Sequence, residues 1–218
     1  MVQGARGVTV KAARSRLGRY AAVLAVAAAV RVLWAILIPV VPVSDCVIYD
    51  GAAQRLAQGL PYTIDAASSR SAHWPVGTSF MYSLVYRVFD PQSSGYTAVT
   101  VVNVLISLAV VGLAMGLATR WFGARAGTVT GVLLAFWPMH IEFTTIIASE
   151  PIFTACIMAG LLAWPDARDR SAGLSESYGR IALAALFFGM ATYTRPTSLL
   201  IPIILGGIEA VRNRSFIR

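Results

Sequence analysis

Charge is what this chain has least of. Only 13% of its 218 residues are charged, about half the share that a soluble domain carries. That scarcity excludes an ordinary water-soluble globule. A hydrophobic content of 57% and a mean hydropathy of +0.68 point the same way. Cysteine is nearly absent too. Cys46 and Cys156 are the two present; Cys156 lies inside an apolar run, and the pair defines no disulfide framework. His73 and His140 stand alone, so there is no metal-type Cys/His spacing. The residues imply no cofactor. Asp45 beside Cys46 is a poor divalent-metal site, which leaves a metal open but unsupported.

What the chain has in abundance is long apolar sequence. Residues 20–43 are apolar apart from Arg31, and residues 91–119 carry no charge at all. Either run is long enough to cross about 30 Å of hydrocarbon. Residues 126–141 form a third run, and 143–165 a fourth, interrupted near its start by Glu150-Pro151. Residues 181–194 and 196–208 form a pair split by Arg195-Pro196. Each member of that pair is short for a span, so one kinked helix or a re-entrant hairpin stays open there. The fold class is therefore an all-α polytopic membrane protein with about six transmembrane helices.

Orientation follows from the cations in short loops. With the N-terminus inside, most of the 18 Lys and Arg residues fall in inner segments, whereas the outer ones hold Arg55, Arg70, Arg87 and Arg195. The net charge of +8 is then topological and needs no nucleic-acid partner. On this reading residues 1–19 are a basic cytoplasmic N-terminus, 20–211 a transmembrane module, and 212–218 a basic cytoplasmic tail. The basic start followed by "YAAVLAVAAAV" also fits a cleaved signal peptide. Because the apolar stretch continues to Val43, an uncleaved anchor fits better.

The outer loop, residues 44–95, carries two helix signals. From Gly77 to Phe89, apolar Phe80, Met81, Leu84, Val85, Val88 and Phe89 form one stripe, preceded by Pro75 and ended by Asp90-Pro91. Such a helix lies in the interface plane. A shorter one is predicted from Cys46 to Gln58, closed by Gly59 and Pro61. The segment between them places Arg70, His73 and Trp74 near the headgroups.

Acidic residues sort by side. Asp45, Asp50, Asp65, Asp90, Glu142 and Glu150 fall outside under this topology. Asp45, Glu150 and Arg195 come at or just within the membrane boundary, where an ionisable group needs a cavity or a partner. One outward-facing polar site would satisfy all three. Plainer roles compete for each residue. Asp45 fits an N-cap for a helix beginning near Val47, and Asp50 a solvated helix position. Glu150 fits a partner for Arg31 or Arg195, and Arg195 a snorkelling anchor. His140, Tyr49 and Tyr62 fit interfacial anchors.

The ordered fragments resemble a known family. They are an arginine within span 1, "SD...Y...A..L..G.PY", "WPVG", "PMHI", "SEPIF" and "TYTRP". Together they are similar to the GT-C superfamily of integral-membrane glycosyltransferases, in the branch of the protein mannosyltransferases and the aminoarabinose transferase. The resemblance covers roughly residues 20–210. It implies a polyprenyl-phosphate sugar lipid as donor and an extracytoplasmic active site in the plasma membrane. The acceptor (lipid, glycan or protein) is left unspecified.

The resemblance also implies residue roles. Asp45 occupies the position of the family's signature carboxylate, a general base for an inverting transfer. Family members often carry Asp-Glu there; this chain has Asp45-Cys46, so the second acid is missing. A cation against the leaving phosphate would come from Arg195 first, with Arg70 or His73 as alternatives. Asp50, Tyr49, Glu150 and Arg31 are read as site support. Relatives also tend to carry a cation and a second proline where this chain reads His73-Trp74-Pro75-Val76-Gly77, which weakens a phosphate role there. Family members continue past six spans, so this chain reads as a fragment, a truncated reading frame, or a compact form holding the N-terminal module. Two other classes stay open: a non-catalytic membrane subunit that binds polyprenyl lipid or a partner enzyme, and a small transporter.

Overall fold

A computed structural model describes residues 2–63, 74–165 and 174–214. Among the described residues the regular structure is entirely helical. In chain order the helices are α1 (Val2–Leu37), α2 (Asp45–Ala57), α3 (Val76–Tyr86), α4 (Tyr96–Phe122), α5 (Ala124–Ala135), α6 (Pro138–Glu142), α7 (Glu150–Ala163), α8 (Leu174–Thr194) and α9 (Leu200–Arg214). Two stretches, Arg16–Leu37 and Pro91–Phe122, are long and apolar enough to cross a membrane. Ala124–Ala135, Glu150–Ala163 and Pro196–Val211 are shorter apolar helices.

Several boundaries differ from the apolar runs, and proline explains most of the differences. α1 ends at Leu37 instead of reaching Val43, because Pro39 and Pro42 follow within six residues. The third run breaks at Phe136-Trp137, before Pro138 opens α6. The fourth run does not start as a helix at 143. Glu150-Pro151 is no interruption but the first turn of α7, with proline in the position that needs no N–H donor. The last pair is two helices rather than one kinked one, since Arg195 is extended (φ −149°, ψ 111°) and Pro196–Leu199 form a 3-10 turn. The boundary drawn at residue 19 falls inside α1 and the one at 211 inside α9.

The chain divides into two compact units. The first comprises residues 1–41 and 100–146. Its core is Val23 and Ala27 of α1 with Val111 and Met115 of α4 and Ala135 of α5. Tyr20 is hydrogen-bonded to Thr119 between α1 and α4. Small residues at these contacts let helices approach closely, as membrane packing demands when lipid offers no hydrophobic contrast.

The second unit comprises residues 42–99 and 147–218. Within it α2 packs on α3, and α7 packs on α8 with Gly160 against the Phe188 ring. The start of α3 meets the end of α8. A Cβ at Gly77 would sit 2.6 Å from the Tyr193 carbonyl oxygen, so only glycine fits.

α3 has an unexpected face inward. Thr78, Ser79, Tyr82, Ser83 and Tyr86 are buried, while Phe80, Leu84, Val88 and Phe89 are exposed. The apolar stripe is where the periodicity put it, but it points away from the protein. That is the orientation of a helix whose surroundings are less polar than its neighbours.

Candidate functional site

The second unit holds most of the residues singled out. Asp45 begins α2. It is not the helix's N-cap, as the plainer reading had it: Ser44 precedes it without a side-chain cap, and Asp45 is an exposed acid in the first turn. The Cys46 amide donates to the Val43 carbonyl at 3.1 Å, closing a tight turn around Ser44 (φ 53°, ψ −130°). Serine there sits in a region that favours glycine, a strain of about 1–3 kcal/mol. The turn aims Asp45 outward at the positive end of the helix dipole, where negative charge is favoured.

Next to it, Cys46 is half-buried. Burial pushes its thiol pKa up, and the charges of Asp45 and then Glu150 add to the effect. The thiol therefore stays protonated near neutral pH and is a poor nucleophile. The same observation brings Glu150 into electrostatic reach of the residue beside Asp45.

Glu150 and Arg195 form an ion pair in this unit. Arg195 Nη2 donates to Glu150 Oε1 at 2.5 Å, and Arg195 Nε donates to Ser149 Oγ at 3.0 Å. Ser149 Oγ in turn donates to Glu150 Oε2 at 3.3 Å. The guanidinium lies 5.9 Å from the centre of the Phe153 ring. Both charged side chains are substantially exposed, at 43% and 38%. Of the two partners expected for Glu150, the structure selects Arg195.

The same unit holds an apolar groove of about 500 Å³. Phe80, Met81 and Leu84 of α3, Ile152 of α7, and Met190 and Thr194 of α8 line it. Ile152 comes two residues after Glu150, and Thr194 one residue before Arg195, so α7 and the end of α8 contribute to the groove as well as to the charged pair.

Asp50 corrects an expectation. It does not face water: it is 6% exposed and accepts from Tyr86 Oη at 2.5 Å, Tyr96 Oη at 2.8 Å and Gln54 Nε2 at 2.9 Å. A buried anion tolerates such a place when donors surround it. The two tyrosine rings stack edge to face, 6.5 Å apart. Burial and then the Asp50 carboxylate push the Tyr86 pKa well above its ordinary value. Tyr86 and Tyr96 were missed in the sequence because nothing in their spacing ties them to Asp50, 36 and 46 residues away. Tyr49 is buried as well, edge-on to Trp74 at 5.7 Å, and so is packed inside instead of anchoring at an interface.

Arg31 belongs to the first unit and does not pair with Glu150. It is fully buried. Nε donates to Ser107 Oγ at 2.6 Å, Nη1 to the carbonyls of Ala27 (3.0 Å) and Ala135 (3.3 Å), and Nη2 to Leu134 O (3.1 Å) and His140 Nδ1 (3.3 Å). Ser107 Oγ is also 2.9 Å from His140 Nδ1. Arg31 thus caps the C-terminal carbonyls of α5, at the negative end of its dipole. His140 is a partner in this cluster and not a free interfacial group. Arg70 and His73 lie outside the described residues.

Among the described residues no group of three or more His, Cys, Asp or Glu could hold a metal. Three comparisons complete the picture. A family model described as dolichyl-phosphate-mannose-protein mannosyltransferase matches residues 73–215. No curated protein matches the chain, and no solved structure does. Its class is that of the GT-C-type membrane glycosyltransferases. Within that class, the chain belongs to the dolichyl-phosphate-mannose-protein mannosyltransferase family. The matched stretch takes in Glu150 and Arg195 and leaves out Asp45 and Asp50.

Proposed function

We propose that this chain transfers a sugar from a polyprenyl-phosphate donor to an acceptor hydroxyl on the extracytoplasmic face, with inversion. The observation that carries the reading is an apolar groove lined by Ile152 and Thr194, in the same unit as the half-exposed Arg195 guanidinium and the exposed Asp45 carboxylate. A polyprenyl tail suits the groove by its chemistry, and a phosphate suits Arg195 by its fork geometry. Asp45 takes the acceptor's proton as the hydroxyl oxygen attacks the anomeric carbon. The bond to the phosphate oxygen breaks, and the polyprenyl phosphate leaves with its developing charge held by Arg195.

Six spans with the N-terminus inside place the donor site outside, and α2 and α3 lie along that interface. The exposed stripe of Phe80, Leu84 and Val88 supports this for α3. The irregular segment before α7 is compatible with membrane depth because Thr144, Thr145, Ile147 and Ala148 are buried in protein.

The test uses right-side-out vesicles supplied with a polyprenyl-phosphate sugar from outside. Wild type should transfer. Asp45→Asn should lose transfer by two or more orders of magnitude while inserting normally. Normal transfer by that variant would sink the assignment.

One observation favours a second reading, a non-catalytic subunit that binds polyprenyl lipid. The family match begins after Asp45, and the second acid beside it is a cysteine. That reading predicts lipid binding without turnover, unaffected by Asp45→Asn.

A further inference from the structure

We infer that Glu150 is a built-in competitor for the lipid phosphate, holding Arg195 when the site is empty and reclaiming it as the phosphate leaves. The inference rests on the proposed phosphate role of Arg195. The geometry explains why the carboxylate acts as a rival and not as a scaffold. Glu150 takes Arg195 Nη2 end-on at 2.5 Å, while the fork's Nε is engaged by Ser149 at 3.0 Å. An incoming phosphate needs the same donors in the same plane, so the two anions exclude each other at Nη2.

Exchange is cheap on both sides. An ion pair this exposed is only weakly held. Once released, Glu150 keeps its hydrogen bond from Ser149 Oγ and its access to water. Arg195 does not depend on Glu150 for its position either. Its backbone N–H donates to Ala191 O at 2.8 Å at the end of α8, Pro196 fixes the next residue, and Phe153 lies under the guanidinium.

The consequence concerns release. Transfer leaves a phosphate monoester carrying about −1.5 to −2 charge at pH 7, where the donor carried a single charge. Arg195 alone would hold the product more tightly than the substrate. A tethered carboxylate at the same donor lowers the affinity for any phosphate and refills the site when the product goes.

Competition from within the chain multiplies the apparent Kd by one plus the pairing constant. A pair worth 0.2–1 kcal/mol therefore weakens binding about two- to sixfold. The probe is farnesyl monophosphate, binding to the full chain in nanodiscs. Glu150→Gln should bind it about two- to sixfold tighter than wild type. Glu150→Asp keeps the charge but cannot reach Nη2 in the same way, and should also bind more tightly. Asp90→Asn removes an exposed charge elsewhere in the unit and should leave the affinity unchanged.

Unchanged or weaker binding by both Glu150 variants overturns the inference, and would make Glu150 a support for Arg195. Tightening by Glu150→Gln and Asp90→Asn alike, with none by Glu150→Asp, overturns it in favour of bulk charge. Arg195→Ala separates the levels. If it binds as well as wild type, the phosphate assignment itself has failed.

Discussion

Asp50 and its two phenols show how far a single residue can depart from its sequence context. Five positions after Asp45 on α2, it fits a solvated position or a support for the site, because the weak apolar stripe of that helix is Tyr49, Ala52, Ala53 and Leu56. Yet it is the buried anion that ties α2 to the end of α3 and the start of α4. Sequence could not reveal this, because the partners come from long-range folding and tyrosine is as common at membrane interfaces as in cores. Asp45, by contrast, was legible as an acid at the head of the loop, though its strained turn was not. Replacing Asp50 by alanine would take the acceptor from the buried Tyr86 phenol, at about 1–3 kcal/mol. Asp50→Asn, which still accepts at one oxygen, should recover part of that in thermal unfolding.

The Tyr86 pKa is raised in the folded state, so its contribution is complete below the unfolded tyrosine value near 10. It is lost as pH rises above that value. Stability measured by denaturation should therefore fall from about pH 10 upward, and the fall should be shallower in Tyr86→Phe.

At the scale of elements, helices were easier to foresee than their ends. α2 came within a residue of its predicted limits because Gly59, at φ 76°, stops it as glycine stops many helices. α3 ended at Tyr86 instead of Phe89. Its apolar period was legible but not its direction, because periodicity does not say whether water, lipid or protein lies on a given side. The motif fragments "WPVG" and "TYTRP" proved to be two halves of one contact, Gly77 against Tyr193 and Thr194. "PMHI" and the arginine of span 1 proved to be two halves of another, His140 with Arg31. Gly77→Ala puts a methyl group into backbone rather than into a yielding side chain. It should lower stability by about 1–3 kcal/mol and weaken farnesyl monophosphate binding, since Gly77 also lines the groove. A melting temperature equal to wild type would show that α3 and α8 do not meet this closely.

At the scale of the whole molecule, the membrane class followed from composition alone, and the family followed from motif order, which the match over residues 73–215 supports. The division into two units did not, because α4 runs unbroken through the point where they divide. No composition shift marks that point.

Arg31 carries a consequence for how the chain is made. Its last partner, His140, follows it by 109 residues. At about 5–20 residues per second, the first helix waits roughly 5–20 s before Ser107, the end of α5 and His140 have all been synthesised. Until then an unaccompanied guanidinium sits in an apolar helix, at about 2.5–3.5 kcal/mol on the insertion scale. Nascent chains arrested before residue 100 should therefore hold α1 in the membrane less firmly than chains arrested after residue 165, as alkaline extraction would report. Arg31→Leu should abolish that difference. The first helix to emerge is in this sense the last to be finished.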